Sequence, residues 1–408
     1  MKERALLIGV RRPRATAAQM DASLEELGRL VDTAGAEVVK VIKQELHIIN
    51  PAIFIGKGKS EEIADEIKGS GIDLVVVDDE LTPAQNRNLG DIFGIKVLDR
   101  TAIILDIFAK RAHTKEGKLQ VELAQLNYLL PRLVGRGLAL SQQAGYIGTR
   151  GPGETKLEVD KRRIKERMSF LRKGLLSVRS HRDIHRSKRA SVPIPVVALV
   201  GYTNAGKSTL MNAMTKAGVF VEDKLFATLD PTIRKMRLAK GREILIADTV
   251  GFIRKLPHQL VESFKATFEE VGQAEILLHI IDASDPEAEH QIEVVESVLK
   301  ELDLITKPRV RVYNKCDAGH LYMRTMSDGV QISALTGDGL DKLSERVSVV
   351  LADKFKRTRL KLPLDAGGVL SEIYRIGSVV RARHYSKCIS VDALLPEKLL
   401  KKYEKYVR

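Results

Sequence analysis

The sequence predicts a multidomain α/β protein, and three observations carry the prediction. Short apolar runs of β type alternate with amphipathic helical patterns over residues 1–110, and do so again over 191–355. That order builds parallel sheets with helices on both faces. Between the two stretches the pattern turns wholly helical, and after them short strands return with a high density of Lys and Arg. The expected domains are an N-terminal α/β domain (1–110), an antiparallel helical hairpin with a basic linker (111–190), a second α/β domain (191–355) and a small basic α/β module (356–408). At about 100–200 residues per domain, 408 residues suit two to four.

In the first domain, Ala5 to Val10, Ala36 to Val41, Ile72 to Val77 and Ile95 to Leu98 read as strands. Ser23 and Glu26 have capping-box spacing and are expected to start a helix with Leu24, Leu27, Leu30 and Val31 on one face. Gly56-Lys57-Gly58-Lys59-Ser60 precedes a helical pattern from Glu61 to Lys68. It approaches a phosphate loop but has Ile53 where the first glycine belongs, so contact with an RNA phosphate, or no role, is preferred to a nucleotide site. In the hairpin, Leu119, Leu123, Leu126 and Leu130 form one stripe, and Leu157, Ile164, Met168 and Leu171 another; their mutual seam is the expected packing. The joining loop, Gln142 to Lys156, exceeds the usual 2–8 residues of a helix connection. It combines glycines with Arg150 and Tyr146, residue types that meet phosphate and an unpaired base. His181 to Arg189 reads as a linker. In the last module, Gly367 to Tyr374 is helix-like, Ser378 to Arg383 pairs with Lys387 to Asp392, and Glu397 to Tyr406 is expected to be a basic helix.

Composition narrows the class. The chain is 44% apolar and 29% charged, and no run approaches the roughly 18 apolar residues of a membrane span. Two cysteines, Cys316 and Cys388, suggest neither a disulfide framework nor a Cys metal site, which fits a cytoplasmic protein. The net charge of +14 is concentrated: +8 over residues 151–190 and +9 over 354–408, leaving the rest at −3. Two such zones point to nucleic-acid contact.

The chemistry centres on Gly201, Tyr202, Thr203, Asn204, Ala205, Gly206, Lys207 and Ser208. This G-x-x-x-x-G-K-[ST] run follows the apolar Ile194 to Val200 and opens a helical pattern, the context of a phosphate loop. Backbone N–H groups and the helix N-terminus would cradle phosphate oxygens. Lys207 would reach the β/γ-phosphates, and Ser208 would hold Mg²⁺. A strand from Glu243 ends in Asp248, Thr249, Val250 and Gly251, giving a carboxylate for the Mg²⁺ shell through water and an N–H for the γ-phosphate. Phe226, Ala227, Thr228, Leu229 and Asp230 supply the Thr228 hydroxyl for the metal. A third strand delivers Asn314, Lys315, Cys316 and Asp317, and a fourth leads to Ser333, Ala334 and Leu335.

These five segments resemble the signature motifs of the translation-factor-related GTPases, so 191–355 is expected to be a P-loop GTPase domain that binds GTP and GDP with Mg²⁺. Asp317 can accept both N1–H and N2–H of guanine, while adenine leaves it unpaired, a discrimination of roughly 10⁴-fold or more. Asn314 would brace the loop, the Lys315 stem would cover the base and the Ala334 N–H would meet O6. Lys207, Thr228 and Gly251 are the candidate catalytic residues.

The whole chain resembles the HflX family of ribosome-associated GTPases. Beyond the shared motifs, the likeness rests on Arg100 to Ala109, Gly117 to Gln125 and Gly148 to Thr155, which are not common to GTPases in general. It implies binding to the large ribosomal subunit and its rRNA, GTP-dependent splitting of stalled or idle ribosomes, and a hairpin loop that approaches the peptidyl-transferase region. A monomer without a DNA partner is expected. Phe252 stands where a water-orienting glutamine often stands, so unassisted hydrolysis is expected to be slow. Asn204 resembles the asparagine that helps hold K⁺ near the phosphates in several related GTPases. The alternatives are a GTP switch acting on a protein effector and a GTP-regulated RNA chaperone or helicase-like protein.

Overall fold

The structure is a computed structural model. It describes residues 2–133, 156–190, 194–215, 225–238, 243–257, 260, 271–319, 328–352, 355–396, 400 and 403–407. The expected hairpin loop up to residue 155 and half of the expected terminal helix lie outside these residues. The chain divides into two units: Met1–Val178 with Lys224–Leu229 and Arg254–Phe264, and Arg179–Asp223 with Asp230–Ile253 and Lys265–Arg408.

The first unit has a parallel sheet in the order β2-β1-β3-β4, formed by β1 (Arg4–Arg11), β2 (Glu37–Glu45), β3 (Leu74–Val77) and β4 (Lys96–Asp99). Helices α1 (Ala17–Ala34), α2 (Lys57–Ile67), α3 (Pro83–Phe93) and α4 (Arg100–Arg111) alternate with the strands. Leu6, Ile8, Val75 and Val77 pack with Ile63, Ile67, Leu89 and Phe93 in one core. The start of α1 departs from expectation. Thr16 is its N-cap, in a reciprocal capping box with Gln19. Ser23 and Glu26 lie inside the helix and are buried because both serve a polar network. Ser23 Oγ donates to Asp78 (2.6 Å), and the buried Arg100 pairs with Asp78 (2.8 Å) and Glu26. Gly56 caps α2; its N–H donates to Gln44 (3.1 Å), while Lys59 pairs with Glu62 and Ser60 Oγ donates to the Lys57 carbonyl. The Gly-Lys run is thus the first turn of a helix.

Helix α5 (Lys115–Leu133) packs against α6 (Lys156–Ala190) along Leu119, Leu123, Leu126, Leu130, Ile164, Met168 and Leu171. Asp99, fully buried, ties α5 to the sheet. It accepts from Tyr128 Oη (2.8 Å), Arg132 (3.1 Å) and the Leu81 N–H (3.1 Å). The stretch expected as a linker, His181 to Arg189, is helical. It contains neither Gly nor Pro and is rich in Arg and Lys, which propagate a helix well.

The second unit holds a six-stranded sheet, β10-β9-β8-β5-β7-β6, in which only β6 runs antiparallel. The strands are β5 (Val196–Gly201), β6 (Thr232–Arg237), β7 (Glu243–Asp248), β8 (Ile276–Asp282), β9 (Arg309–Asn314) and β10 (Gly329–Gln331), with helices α7 (Lys207–Thr215), α8 (Ala288–Glu301) and α9 (Leu340–Ala352). Every residue of β8 is buried, as a parallel strand covered on both faces requires. A three-stranded antiparallel sheet follows, ordered β11-β13-β12: β11 (Phe355–Pro363), β12 (Ser378–His384) and β13 (Cys388–Pro396), with α10 (Gly367–Ile376). Strand β11 was not anticipated, because four Lys and Arg between Lys356 and Lys361 mask its alternation. Glu404–Tyr406, within the expected terminal helix, forms a 3₁₀ turn.

Candidate nucleotide-binding site

Four of the five expected segments follow the C-terminal ends of the parallel strands β5, β7, β9 and β10 in the second unit, the end at which parallel sheets bind ligands. Strand β5 ends at Gly201 and α7 begins at Lys207, so Tyr202, Thr203, Asn204, Ala205 and Gly206 form the connecting loop. The loop has no room for side chains at its two fixed glycines. A Cβ on Gly201 would sit 2.3 Å from the Ile280 carbonyl, and one on Gly206 would sit 2.2 Å from Asn314 Nδ2. Gly206 also has φ +91°, and Asn204 has φ +61°, a left-handed conformation asparagine tolerates.

Lys207 is buried, and its ammonium donates to the Gly201 (3.2 Å) and Tyr202 (2.7 Å) carbonyls. Burial pushes its pKa down to about 8, against the opposing pull of Asp248. Ser208 Oγ donates to Asp248 Oδ2 at 2.6 Å, so a hydroxyl and a carboxylate of the type a hard divalent cation takes stand together. Thr249 is fully buried and donates to the Leu199 carbonyl (2.6 Å), and Val250 is buried beside it, which fixes the strand end. Gly251 lies against the phosphate loop: a Cβ there would be 2.8 Å from both Lys207 Nζ and Thr203 Cα. Phe252 explains that approach. Its ring is fully buried, its N–H donates to the Gly201 carbonyl (3.1 Å), and its carbonyl accepts from the Thr203 N–H (2.7 Å). The residue in the glutamine position anchors the strand end to the phosphate loop.

Asn314 binds two motifs at once. Its Nδ2 donates to the Ala205 carbonyl (2.8 Å), and its Oδ1 accepts from the Ala334 N–H (2.9 Å). Lys315 has φ +63° and pairs with Asp282 at 2.6 Å. The Cys316 N–H donates to the Ile332 carbonyl (3.1 Å), and burial raises its thiol pKa. Asp317 is exposed, leaving its carboxylate accessible to a base. Ser333 is buried, and its Oγ accepts from the Thr336 N–H (3.1 Å), while Leu335 is exposed. The fifth segment, Phe226 to Leu229, belongs to the first unit, and Asp230 to the second. Phe226 is buried, has φ +57° and sets its ring edge-on to Phe108, with centroids 4.7 Å apart.

Sequence reasoning missed two residues of this region. Asp282 ends β8 as Asp248 ends β7, a strand-end carboxylate that could have been suspected. His279, buried in β8, carries no sequence signal. Its pKa is pushed down to about 3 by burial, then by Arg309, Arg311 and Lys207, so it is a neutral core residue. The glycine cradle, the buried ammonium and the Ser208–Asp248 pair fit a nucleotide phosphate chain with Mg²⁺.

Family models match in three consecutive blocks: "GTP-binding GTPase N-terminal" at residues 21–109, "GTP-binding GTPase Middle Region" at 111–189 and "50S ribosome-binding GTPase" at 196–315. The chain is 49% identical over 392 residues to GTPase HflX of Caldanaerobacter subterraneus, covering 96% of this chain and 91% of the relative. It is 44% identical over 363 residues to GTPase HflX of Escherichia coli K12, covering 87% and 85%. A GTP-binding protein from Sulfolobus solfataricus, solved in complex with GDP, is 26% identical over 86% of this chain and 99% of its own, at a TM-score of 0.44. With this identity along nearly its whole length and the phosphate loop intact, the chain is a GTPase and belongs to the HflX family.

Proposed function

We propose that this GTPase binds the large ribosomal subunit through its rRNA and couples GTP binding and hydrolysis to the dissociation of stalled or idle ribosomes in the cytoplasm. The supporting observation is a nucleotide site in the domain that matches the 50S ribosome-binding GTPase family, in a chain with two strongly basic zones. In this reading, Lys207 exchanges its two carbonyl partners for phosphate oxygens. Ser208 would hold Mg²⁺ directly and Asp248 through water, and Thr228, by its place in its motif, would add a further hydroxyl. Bound Mg²⁺ supplies neutralisation of the charge that develops on the phosphate oxygens. The Gly251 N–H reads the γ-phosphate, and Asp317 selects guanine. Phe252 has no group to orient water, so hydrolysis is slow until the ribosome or backbone groups position it. Asn204 is the candidate K⁺ ligand; equal turnover in KCl and NaCl, unchanged in Asn204→Ala, would remove that role.

The test is sedimentation of ribosomes through sucrose with GTP, a non-hydrolysable analogue or GDP. Subunits should accumulate with the triphosphates and not with GDP, and Lys207→Ala should abolish the effect. Intact ribosomes under every nucleotide would overturn the proposal.

A further inference from the structure

The sheet β11-β13-β12 buries one face and exposes the other. On β11, Thr358, Leu360 and Leu362 are buried while Arg357, Arg359 and Lys361 are exposed. Below them lie Ile373 of α10 and Ile389, Val391 and Ala393 of β13. Strand register carries the exposed set across the sheet. Arg359 and Arg381 flank Asp392, and Lys361 and Arg383 flank Ser390. Among the described residues of these strands, the outer face therefore presents five cations and one carboxylate. That carboxylate is committed, because Arg357 grips both Asp392 oxygens at 3.0 and 2.6 Å, which holds its pKa below the usual range. Among the described residues Arg359, Lys361, Arg381 and Arg383 make no salt bridge; Arg359 shares the field of Asp392, which Arg357 already grips.

Edge protection alone does not explain this. Charged side chains do keep exposed strands from pairing with other chains. The edge strand β2 shows how the same protein meets that need with balanced charge: Lys40 pairs with Glu66, Lys43 with Asp21, and Glu45 with Arg11. The C-terminal sheet instead leaves four cations without a salt bridge among the described residues. Alternate residues on a strand are about 6.7 Å apart, a step suited to successive phosphates on one nucleic-acid strand. Three of the four are Arg, whose planar fork matches phosphate oxygens. Beside Arg383, at the end of β12, Tyr385 is half exposed and offers a ring on which an unpaired base can stack.

We infer that the outer face of β11-β13-β12 is a binding surface for single-stranded RNA, with Arg359, Lys361, Arg381 and Arg383 on its phosphates and Tyr385 on a base. The inference deepens the rRNA contact proposed above, assigning part of it to this basic zone, and because the surface uses none of the nucleotide motifs its test is separate from that of ribosome splitting. The experiment is fluorescence anisotropy of a labelled twelve-nucleotide RNA with the full chain saturated with GDP. Four proteins are compared: wild type, a variant with all four cations changed to Ser, Tyr385→Ala, and Lys40→Ser/Lys43→Ser as a control on β2. The quadruple variant should weaken RNA binding on the order of 10- to 100-fold at moderate salt. Its slope of log affinity against log salt should fall by about 3, since each single-strand phosphate contact contributes about 0.7. Tyr385→Ala should lose about fivefold or more, and the β2 control should bind like wild type. Unchanged GDP affinity reports an intact fold in each variant; if the quadruple variant loses it, Arg381→Gln/Arg383→Gln decides, with about half the slope change. Wild-type RNA affinity in the cation variants, equal loss in the β2 control, or equally tight binding of a poly-glutamate peptide would overturn the inference.

Discussion

Lys207 is charged in water, yet here it sits buried on two carbonyls with its pKa pushed down to about 8. Phosphate oxygens would favour the ammonium, so nucleotide binding should raise that pKa and draw a proton from solvent. The sign follows: uptake of about half a proton at pH 8, almost none at pH 6.5, and affinity falling as pH rises above 8. Calorimetry of GDP binding in buffers of different ionisation enthalpy measures it, and Lys207→Arg, which stays charged, should show none. The same uptake in both proteins would assign the proton to another group. Gly251 invites a sharper substitution. In Gly251→Ala the new methyl meets the Thr203 backbone, which cannot yield as the Lys207 amine can. The strand end should be displaced from the γ-phosphate position, with GDP affinity kept within about threefold and a GTP analogue weakened about tenfold or more, the scale of one charge-assisted hydrogen bond. Equal losses for both nucleotides would argue against that role. The motif residues were legible because their chemistry is local. The crowding at Gly251 was not, because Thr203 reaches it only through the pairing of separate strands.

At the scale of elements, periodicity was legible and start points were less so. Thr16 with Gln19 and Ser23 with Glu26 have the same capping spacing, and local chemistry does not choose between them. Tertiary burial does. Ser23 and Glu26 are needed inward, on Asp78 and Arg100, so the helix must begin about two turns earlier. β11 was hidden for the converse reason: a strand with one face open to water can carry cations at alternate positions and lose its apolar signature. The buried network also predicts a stability effect. Arg100→Leu removes the cation shared by Asp78 and Glu26 and leaves two buried carboxylates less compensated. Breaking a buried pair on one side costs about 3–5 kcal/mol. Hydrogen exchange of α1 and α4 should accelerate accordingly, with the six-stranded sheet unaffected. Wild-type protection of α1 in that variant would show that apolar packing alone holds the helix.

Across the whole molecule, the chain leaves its second unit twice, and each excursion adjoins a nucleotide motif. Lys224–Leu229 contains Thr228, and Arg254–Phe264 starts three residues after Gly251. Within the first unit, Lys255 pairs with Asp78 (2.7 Å) and Asp79 (3.0 Å) at φ +51°, a left-handed conformation that a lysine keeps only when its surroundings impose it. Four peptide bonds along the chain separate Gly251, the candidate γ-phosphate sensor, from this anchored lysine. We expect a shift of the strand end on nucleotide exchange to reach Lys255 through this short covalent link and to release it. Release would leave Asp78 with one cation fewer and loosen Ser23 and the middle of α1. Replacing GDP by a non-hydrolysable GTP analogue should therefore change hydrogen exchange about fivefold or more in residues 20–31 and 76–81, the scale of a coupling of about 1 kcal/mol, as well as in the phosphate loop. Lys255→Ala should abolish the distant change and keep the local one. If the wild-type response stays confined to residues 201–208, or if the distant response survives in Lys255→Ala, the lysine does not carry the nucleotide state to the first unit.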